Sequence, residues 1–218
     1  MTQLIITSDG SHTLFVPELN EHYHSVNGAA QESNHVFITS GYDYCKENII
    51  RIFEVGFGTG LNALLTASRC MKDKRKVLYT AIEKYPLEHK ITDNLNYDTF
   101  AGDYGKAIFG AIHSAPWNKI SAIHENFDLL KINGDLISDD LHGIYNLIYF
   151  DAFGPDKQPD MWSRAVFRKI SEITATGGLL TTYSAKGEIK RILKENGFVV
   201  ELLPGPPGKR QMIRAFKK

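Results

Sequence analysis

The chain has 218 residues, enough for one domain with one sizeable core and few for two. No segment approaches the roughly 20 apolar residues that cross a bilayer, the first residues lack a signal-peptide pattern, and Cys45 and Cys70 lack metal-type spacing. These observations predict a cytoplasmic protein without a membrane segment or a metal site. We expect one domain over 1–218, with 1–48 as a lead-in to a core over 49–218.

The charge is unevenly distributed although the formal net charge is zero. Residues 151–218 carry 13 Lys/Arg against 7 Asp/Glu, whereas 1–150 carry 12 against 18. The basic third is suited to meeting the phosphates of a nucleic acid. Ordinary variation over a helix-rich surface explains the same counts equally well, so charge alone leaves both interpretations open.

After a polar N-terminal stretch, hydrophobic runs of strand length alternate with segments of helical periodicity. The predicted strands are 49–55, 77–83, 127–132, 145–150, 179–184, 198–203 and 211–216. Helices are predicted over 61–70, in pieces between 86 and 118, and over 160–174 and 186–196. This order predicts an α/β fold of the class I (Rossmann-like) methyltransferase type. Its mainly parallel seven-stranded sheet should end in an antiparallel C-terminal hairpin, because no helix separates the last two strands.

A glycine-rich turn follows the first core strand. Glycines occupy alternate positions in the segment 54–60, Glu-Val-Gly-Phe-Gly-Thr-Gly, and a dinucleotide fingerprint would need a further glycine where Leu61 stands. Such a turn lets the backbone approach a ligand closely. It fits the methionine part and ribose of S-adenosylmethionine better than NAD. The alternative is an ordinary tight turn.

Acidic residues end the next two strands, at the edge where ligands of open α/β sheets bind. Glu83 is placed to accept both ribose hydroxyls, and Asp135 to accept the adenine amine. Each alone is more simply a solvated strand-end acid. Together with the glycine turn, in this order, they favour a cofactor site.

Asp151 follows the apolar strand 145–150 directly, and a carboxylate placed there is costly unless it has a role. Methyl transfer to nitrogen needs an amine with a free lone pair, and a carboxylate can orient the amine and receive its proton. The Ala152 carbonyl could accept a second N–H, and Phe153 could stack on a base. The alternative is a turn cap beside a core phenylalanine.

Several segments together resemble the methyltransferase domain of the bacterial bifunctional enzymes that make 5-methylaminomethyl-2-thiouridine at the tRNA wobble position. The matching segments are 27–32, 35–38, 54–62, 83–87, 151–162, 197–198 and 208–212. The run Asp-Ala-Phe-Gly-Pro followed by Pro-Asp-Met-Trp is the specific part. The resemblance implies N-methylation of 5-aminomethyl-(2-thio)uridine in the tRNA anticodon loop, with S-adenosylmethionine as cofactor.

The same resemblance implies roles for individual residues. The expected cofactor site is Glu54, Gly56, Phe57, Gly58, Gly60, Glu83, Lys84 and Asp135. Asp151 is the expected catalytic residue, with Phe153, Lys209 and Arg210 on the substrate side. Lys209 and Arg210 suit phosphate contact, although a solvated hairpin tip is the simpler interpretation without the resemblance.

In that family a second, FAD-dependent domain first removes a carboxymethyl group. The sequence, ending at Lys218, contains no such domain, so we expect a stand-alone methyltransferase without FAD. A separate enzyme would then supply its aminomethyl-uridine substrate. Alternatives are a methyltransferase of small amines or a polyamine-synthase-like enzyme, a binding module without catalysis, and an NAD oxidoreductase. Leu61 disfavours the last.

Overall fold

The computed structural model describes residues 2–218, and it begins with a small antiparallel sheet. This sheet contains β1 (Gln3–Ile6), β2 (His12–Val16) and β3 (Glu21–His22). The loop after β1 also caps the first helix, α1 (Ala29–Ser33), where the Ser11 hydroxyl accepts the N–H groups of Ala29 and Ala30 at 3.1 Å. This part of the predicted lead-in is therefore folded.

An eight-stranded mixed sheet forms the centre. Its strands are β4 (Ile49–Val55), β5 (Lys76–Glu83), β6 (Ile120–His124), β7 (Phe127–Asn133), β8 (Tyr145–Phe150), β9 (Thr174–Thr182), β10 (Phe198–Pro204) and β11 (Gln211–Lys217). The spatial order is β10-β11-β9-β8-β4-β5-β7-β6, and β4, β5, β7, β8 and β9 run parallel. β11 pairs antiparallel with both β9 and β10. The class I methyltransferase fold and its C-terminal hairpin are confirmed.

The expected count of seven strands is corrected to eight. The additional strand is β6, which pairs antiparallel with β7 and contains an irregularity between Ala122 and His124. None of its five side chains is fully buried, because the strand lies at the edge of the sheet. It therefore lacks the buried alternation by which a strand is recognised in a sequence.

Helices cover both faces of the sheet. α1 continues as a π-helix over Asn34–Tyr42, and with α2 (Leu61–Asp73) and α4 (Gly105–Ser114) it packs on one face. α5 (Arg164–Ile173) and α6 (Gly187–Glu195) pack on the other. The short helix α3 (His89–Thr92) and two 3-10 turns, Tyr97–Phe100 and Pro159–Trp162, lie in connections.

The helix predicted from residue 160 begins at Arg164 instead. The Ser163 hydroxyl accepts the backbone N–H of Val166 and caps α5. Behind this cap, Phe167 stacks on Phe150 of β8 with ring centroids 4.8 Å apart. Full burial of such a side chain stabilises the fold by roughly 1.5–3 kcal/mol. This packing holds the end of β8 rigidly.

Across residues 2–218, no helix has the length and apolar character needed to cross a membrane.

Candidate active site

A cleft of about 310 Å³ opens at the carboxyl ends of the parallel strands β4, β5, β7 and β8. This is the edge where open α/β sheets bind ligands, and the volume suits a small molecule. Eight of the expected site residues line the cleft: Gly56, Phe57, Gly58, Glu83, Lys84, Asp135, Asp151 and Phe153. Glu54, Gly60, Lys209 and Arg210 lie outside its lining.

The glycine turn needs its small residues because other parts of the chain approach it closely. A Cβ atom on Gly56, where φ is +84°, would lie 2.9 Å from the Asp151 carbonyl oxygen. A Cβ atom on Gly58, where φ is +50°, would lie 3.1 Å from the Tyr23 ring. Gly60 precedes α2, and its missing side chain faces His113 and Phe57. Gly56 and Gly58 thus keep the cleft floor open, whereas Gly60 serves internal packing.

Glu83 is held rigidly at the end of β5. One carboxylate oxygen accepts the N–H of Gly58 at 3.0 Å, and the other accepts the N–H of Tyr85 at 2.9 Å. Each oxygen retains a free lone pair. The carboxylate is therefore arranged to accept further hydrogen bonds from a pair of hydroxyl groups in the cleft.

Asp135 and Lys84 form an ion pair on the adjacent rim, with Nζ 2.8 Å from Oδ2. β7 ends at Asn133, so Asp135 lies in the loop after it, where its other oxygen accepts the N–H of Ile137 at 2.9 Å. The hydrogen bond from Lys84 holds the pKa of Asp135 below its usual value. Since Lys84 is exposed, solvent screens the pair and it contributes little stability. It keeps an ionised acceptor at the rim.

Asp151 lies at the end of β8, and Asn62 from α2 donates a hydrogen bond to its Oδ2 at 2.7 Å. The same amide donates to Glu54 Oε1 at 2.9 Å, and its carbonyl oxygen accepts the Ser33 hydroxyl. Burial raises the pKa of Asp151 to about 7, opposed by the Asn62 hydrogen bond. Asp151 can therefore gain or release a proton near neutral pH, as a general base requires.

Glu54 lies beneath this arrangement and is completely buried. Burial raises its pKa far above the ordinary value, and the nearby Asp151 charge adds to the effect. Glu54, which is expected at the methionine end of the cofactor, is not among the residues that line the cleft. Its side chain is linked to Asp151 through the amide of Asn62, which donates to both carboxyl groups.

Lys209 and Arg210, adjacent in sequence, have different environments. Lys209 Nζ pairs with the buried carboxylate of Glu32 at 2.8 Å and lies 3.9 Å from the centroid of the Tyr183 ring. The Tyr183 hydroxyl donates to the Ala152 carbonyl at 2.8 Å. Arg210 is exposed. The structure therefore corrects the solvated-tip interpretation for Lys209, which is tied to the residues around Asp151.

The N-terminal residues Tyr23 and His24 also line the cleft, and sequence reasoning missed this role for both. Tyr23 meets the Phe153 ring edge-on at 4.9 Å. His24 lies 2.8 Å from the Thr59 hydroxyl, and burial lowers its pKa to about 4, so it is neutral at pH 7. Neither residue belongs to a periodic pattern. Asn62, also missed, did lie within a segment of resemblance.

Comparison with known proteins agrees with this geometry. A family model described as S-adenosyl-L-methionine-dependent methyltransferase matches residues 118–218. The chain is 30% identical over 224 residues to the tRNA 5-methylaminomethyl-2-thiouridine biosynthesis bifunctional protein MnmC of Burkholderia multivorans, covering 96% of this chain and 34% of that protein. These matches show that the chain is similar to S-adenosylmethionine-dependent methyltransferases, over residues 118–218 in the family model. The chain resembles the methyltransferase part of MnmC and spans about a third of the length of this relative.

Solved structures show the same fold. MnmC2 from Aquifex aeolicus superposes with a TM-score of 0.81 at 24% identity, covering 100% of this chain and 70% of that one. A spermidine synthase in complex with the transition-state analogue AdoDATO superposes with a TM-score of 0.56 at 11% identity, covering 100% and 72%. At these identities the likeness supports the methyltransferase fold and leaves the methyl acceptor open.

Proposed function

We propose that this methyltransferase transfers a methyl group to the primary amine of 5-aminomethyl-(2-thio)uridine at the wobble position of tRNA. The observation on which the proposal rests is the position of the Asp151 carboxyl group, which lies in the cleft at the end of β8 and accepts a hydrogen bond from Asn62 at 2.7 Å. Burial raises its pKa to about 7, which supports a role as a base. The similarity to MnmC over 96% of the chain supports tRNA as the source of the amine.

The cleft fits S-adenosylmethionine. Gly56 and Gly58 leave a floor that side chains would fill, and the Glu83 carboxylate is fixed with lone pairs free for the ribose hydroxyls. Asp135, kept ionised by Lys84, is suited to accept the adenine amine. When bound, the cofactor supplies an electrophilic methyl group on a sulfonium sulfur.

On the acceptor side, the Asp151 carboxylate orients the incoming amine and takes the proton that it releases as the nitrogen–carbon bond forms. The Ala152 carbonyl already accepts the Tyr183 hydroxyl, and its second lone pair is available to another N–H. Phe153 lies in the cleft wall beside Tyr23 and provides an aromatic surface for the uracil ring.

The basic C-terminal third is the surface we assign to tRNA, with the exposed Arg210 as a phosphate contact. The aminomethyl group must be present before methylation. A step that removes a carboxymethyl group therefore precedes methylation, and we propose that both steps take place on tRNA in the cytoplasm.

The deciding experiment measures methyl transfer from labelled S-adenosylmethionine to tRNA bearing either 5-aminomethyl-2-thiouridine or its carboxymethylated precursor. We expect methylation of the first tRNA and none of the second, since the precursor's amine is already substituted. Nucleoside analysis then identifies the product. Turnover of free polyamines without methylation of this tRNA would assign the chain to the small-amine or polyamine-synthase class. Binding without turnover of any amine would make it a binding module.

A further inference from the structure

The environment of Asp151 contains two other carboxyl groups and one ammonium group. Glu54 approaches from β4 and Glu32 from α1, while Lys209 approaches from the loop between β10 and β11. Asn62 contributes a neutral hydrogen bond. The hydroxyls of Tyr79 on β5 and Tyr183 after β9 also face this group, and their pKa values are raised above 10 mainly by burial. Both are neutral at pH 7.

Lys209 cannot move freely. Its Nζ is held at 2.8 Å by Glu32, which is only 7% exposed, and at 3.9 Å from the centroid of the Tyr183 ring. An ammonium ion between a carboxylate and an aromatic face is attracted by both. The Tyr183 hydroxyl in turn is bound to the carbonyl of Ala152, the residue after Asp151. The charge is thus fixed next to the acceptor segment.

The charge of Lys209 affects whether Asp151 can accept a proton. A buried carboxyl group beside other carboxyl groups tends to stay protonated and then cannot accept an amine proton. Burial raises the pKa of Asp151 most and the Asn62 hydrogen bond opposes it; Glu32 then raises the pKa further and Lys209 lowers it. Because Glu32 and Lys209 neutralise each other, the pair screens Asp151 from the negative charge of Glu32.

We propose that Lys209 is a positioning residue of the active site, whose ammonium group, held by Glu32 and the Tyr183 ring, keeps Asp151 ionised for amine methylation. The inference rests on the proposed function, and it gives Lys209 a role different from tRNA phosphate contact. The adjacent Arg210 keeps that role, so the pair divides between catalysis and tRNA binding.

The test is a carboxyl ¹³C NMR titration of the full chain labelled at aspartate, with the Asp151 resonance assigned by its loss in Asp151→Asn. In Lys209→Met, the Asp151 midpoint should rise by about one pH unit, the lower end of the effect of a neighbouring cation. Lys209→Arg should keep the midpoint. The matched control, Arg210→Met, should also leave it unchanged in the free enzyme.

Glu32→Gln gives a change of opposite sign. Removing this negative charge should lower the Asp151 midpoint, because the ammonium group is then unopposed. If Lys209→Met does not fold, the Asp151 midpoint in Glu32→Gln still tests the proposal. An unchanged midpoint in Lys209→Met, an equal rise in Arg210→Met, or a rise in Glu32→Gln would overturn the proposal.

The catalytic readout is the pH dependence of single-turnover methylation. A midpoint about one unit higher leaves roughly a tenth of Asp151 ionised at pH 7 instead of half, so Lys209→Met should be about fivefold slower there and recover at higher pH. A defect independent of pH would contradict this role. The NMR titration needs neither tRNA nor cofactor, so it stays decisive even if the tRNA substrate proves wrong.

Discussion

Replacing Asp151 by Asn should make the protein more stable and much less active at the same time. The substitution keeps the size of the side chain and one carbonyl oxygen that can accept the Asn62 hydrogen bond. It removes the charge that burial disfavours and the base that accepts the amine proton. Opposite effects on stability and on rate distinguish a functional carboxylate from an ordinary turn cap.

The stability change follows from the pKa. Burial raises the pKa of Asp151 from 3.8 to about 7 in the folded state. The unfolded chain therefore binds fewer protons than the folded chain between these values, and wild-type stability falls as pH rises across this range. The full difference corresponds to about 4 kcal/mol. We treat this as an upper value, because the side chain is partly open to the cleft and solvent screens its charge.

The measurement compares urea unfolding of wild type and Asp151→Asn from pH 3.5 to pH 8. The gain in free energy of unfolding should be near zero below the unfolded pKa and should reach its full size above about pH 7. Single-turnover methylation should fall by roughly 10²–10⁴-fold at neutral pH. Asp151→Ala should be slower still, because it also removes the orienting acceptor.

Two results would refute this reasoning. A stability difference that is constant across pH would mean that Asp151 has an ordinary pKa in the folded protein. If Asp151→Asn methylated at the wild-type rate across the pH range, the end of β8 would not be the acceptor site. This conclusion would hold even if the cofactor assignment were correct.

Three further predictions concern the cofactor and the tRNA surface. The protein should bind S-adenosylmethionine and its demethylated product in titration calorimetry, whereas tight NAD binding in their place would contradict the cofactor assignment. Gly58→Asp should abolish that binding, since the new side chain meets Tyr23 and adds negative charge beside Glu83, while circular dichroism stays nearly unchanged. Arg210→Ala should weaken tRNA binding and reduce its salt dependence by about one counterion, leaving cofactor affinity unchanged, and an unaltered salt slope would return Arg210 to a solvated tip.

The fold class and much of the cleft can be predicted from the order and chemistry of the residues alone. Largely apolar runs of strand length such as 145–150 predict buried strands, and their alternation with helical segments predicts a mainly parallel sheet. Because such strands end at one edge, the glycine turn, Glu83 and Asp151 had to meet there. The edge strand β6 was not predicted from the sequence, because a half-exposed strand shows no alternation of buried and exposed residues.

The contacts of each polar side chain near the cleft follow from tertiary packing and cannot be predicted from the sequence. Contacts between residues far apart in the chain, such as Glu32 with Lys209, leave no periodic signal in one sequence. The same is true of Tyr23, which reaches the cleft from the N-terminal sheet. The burial of each group depends on the packing around its atoms. It raises the pKa of Asp151, and it leaves Glu54 with no exposed surface. Lys209 and Arg210 look equivalent in the sequence, and their separate environments arise because the hairpin turns only one of them towards Glu32.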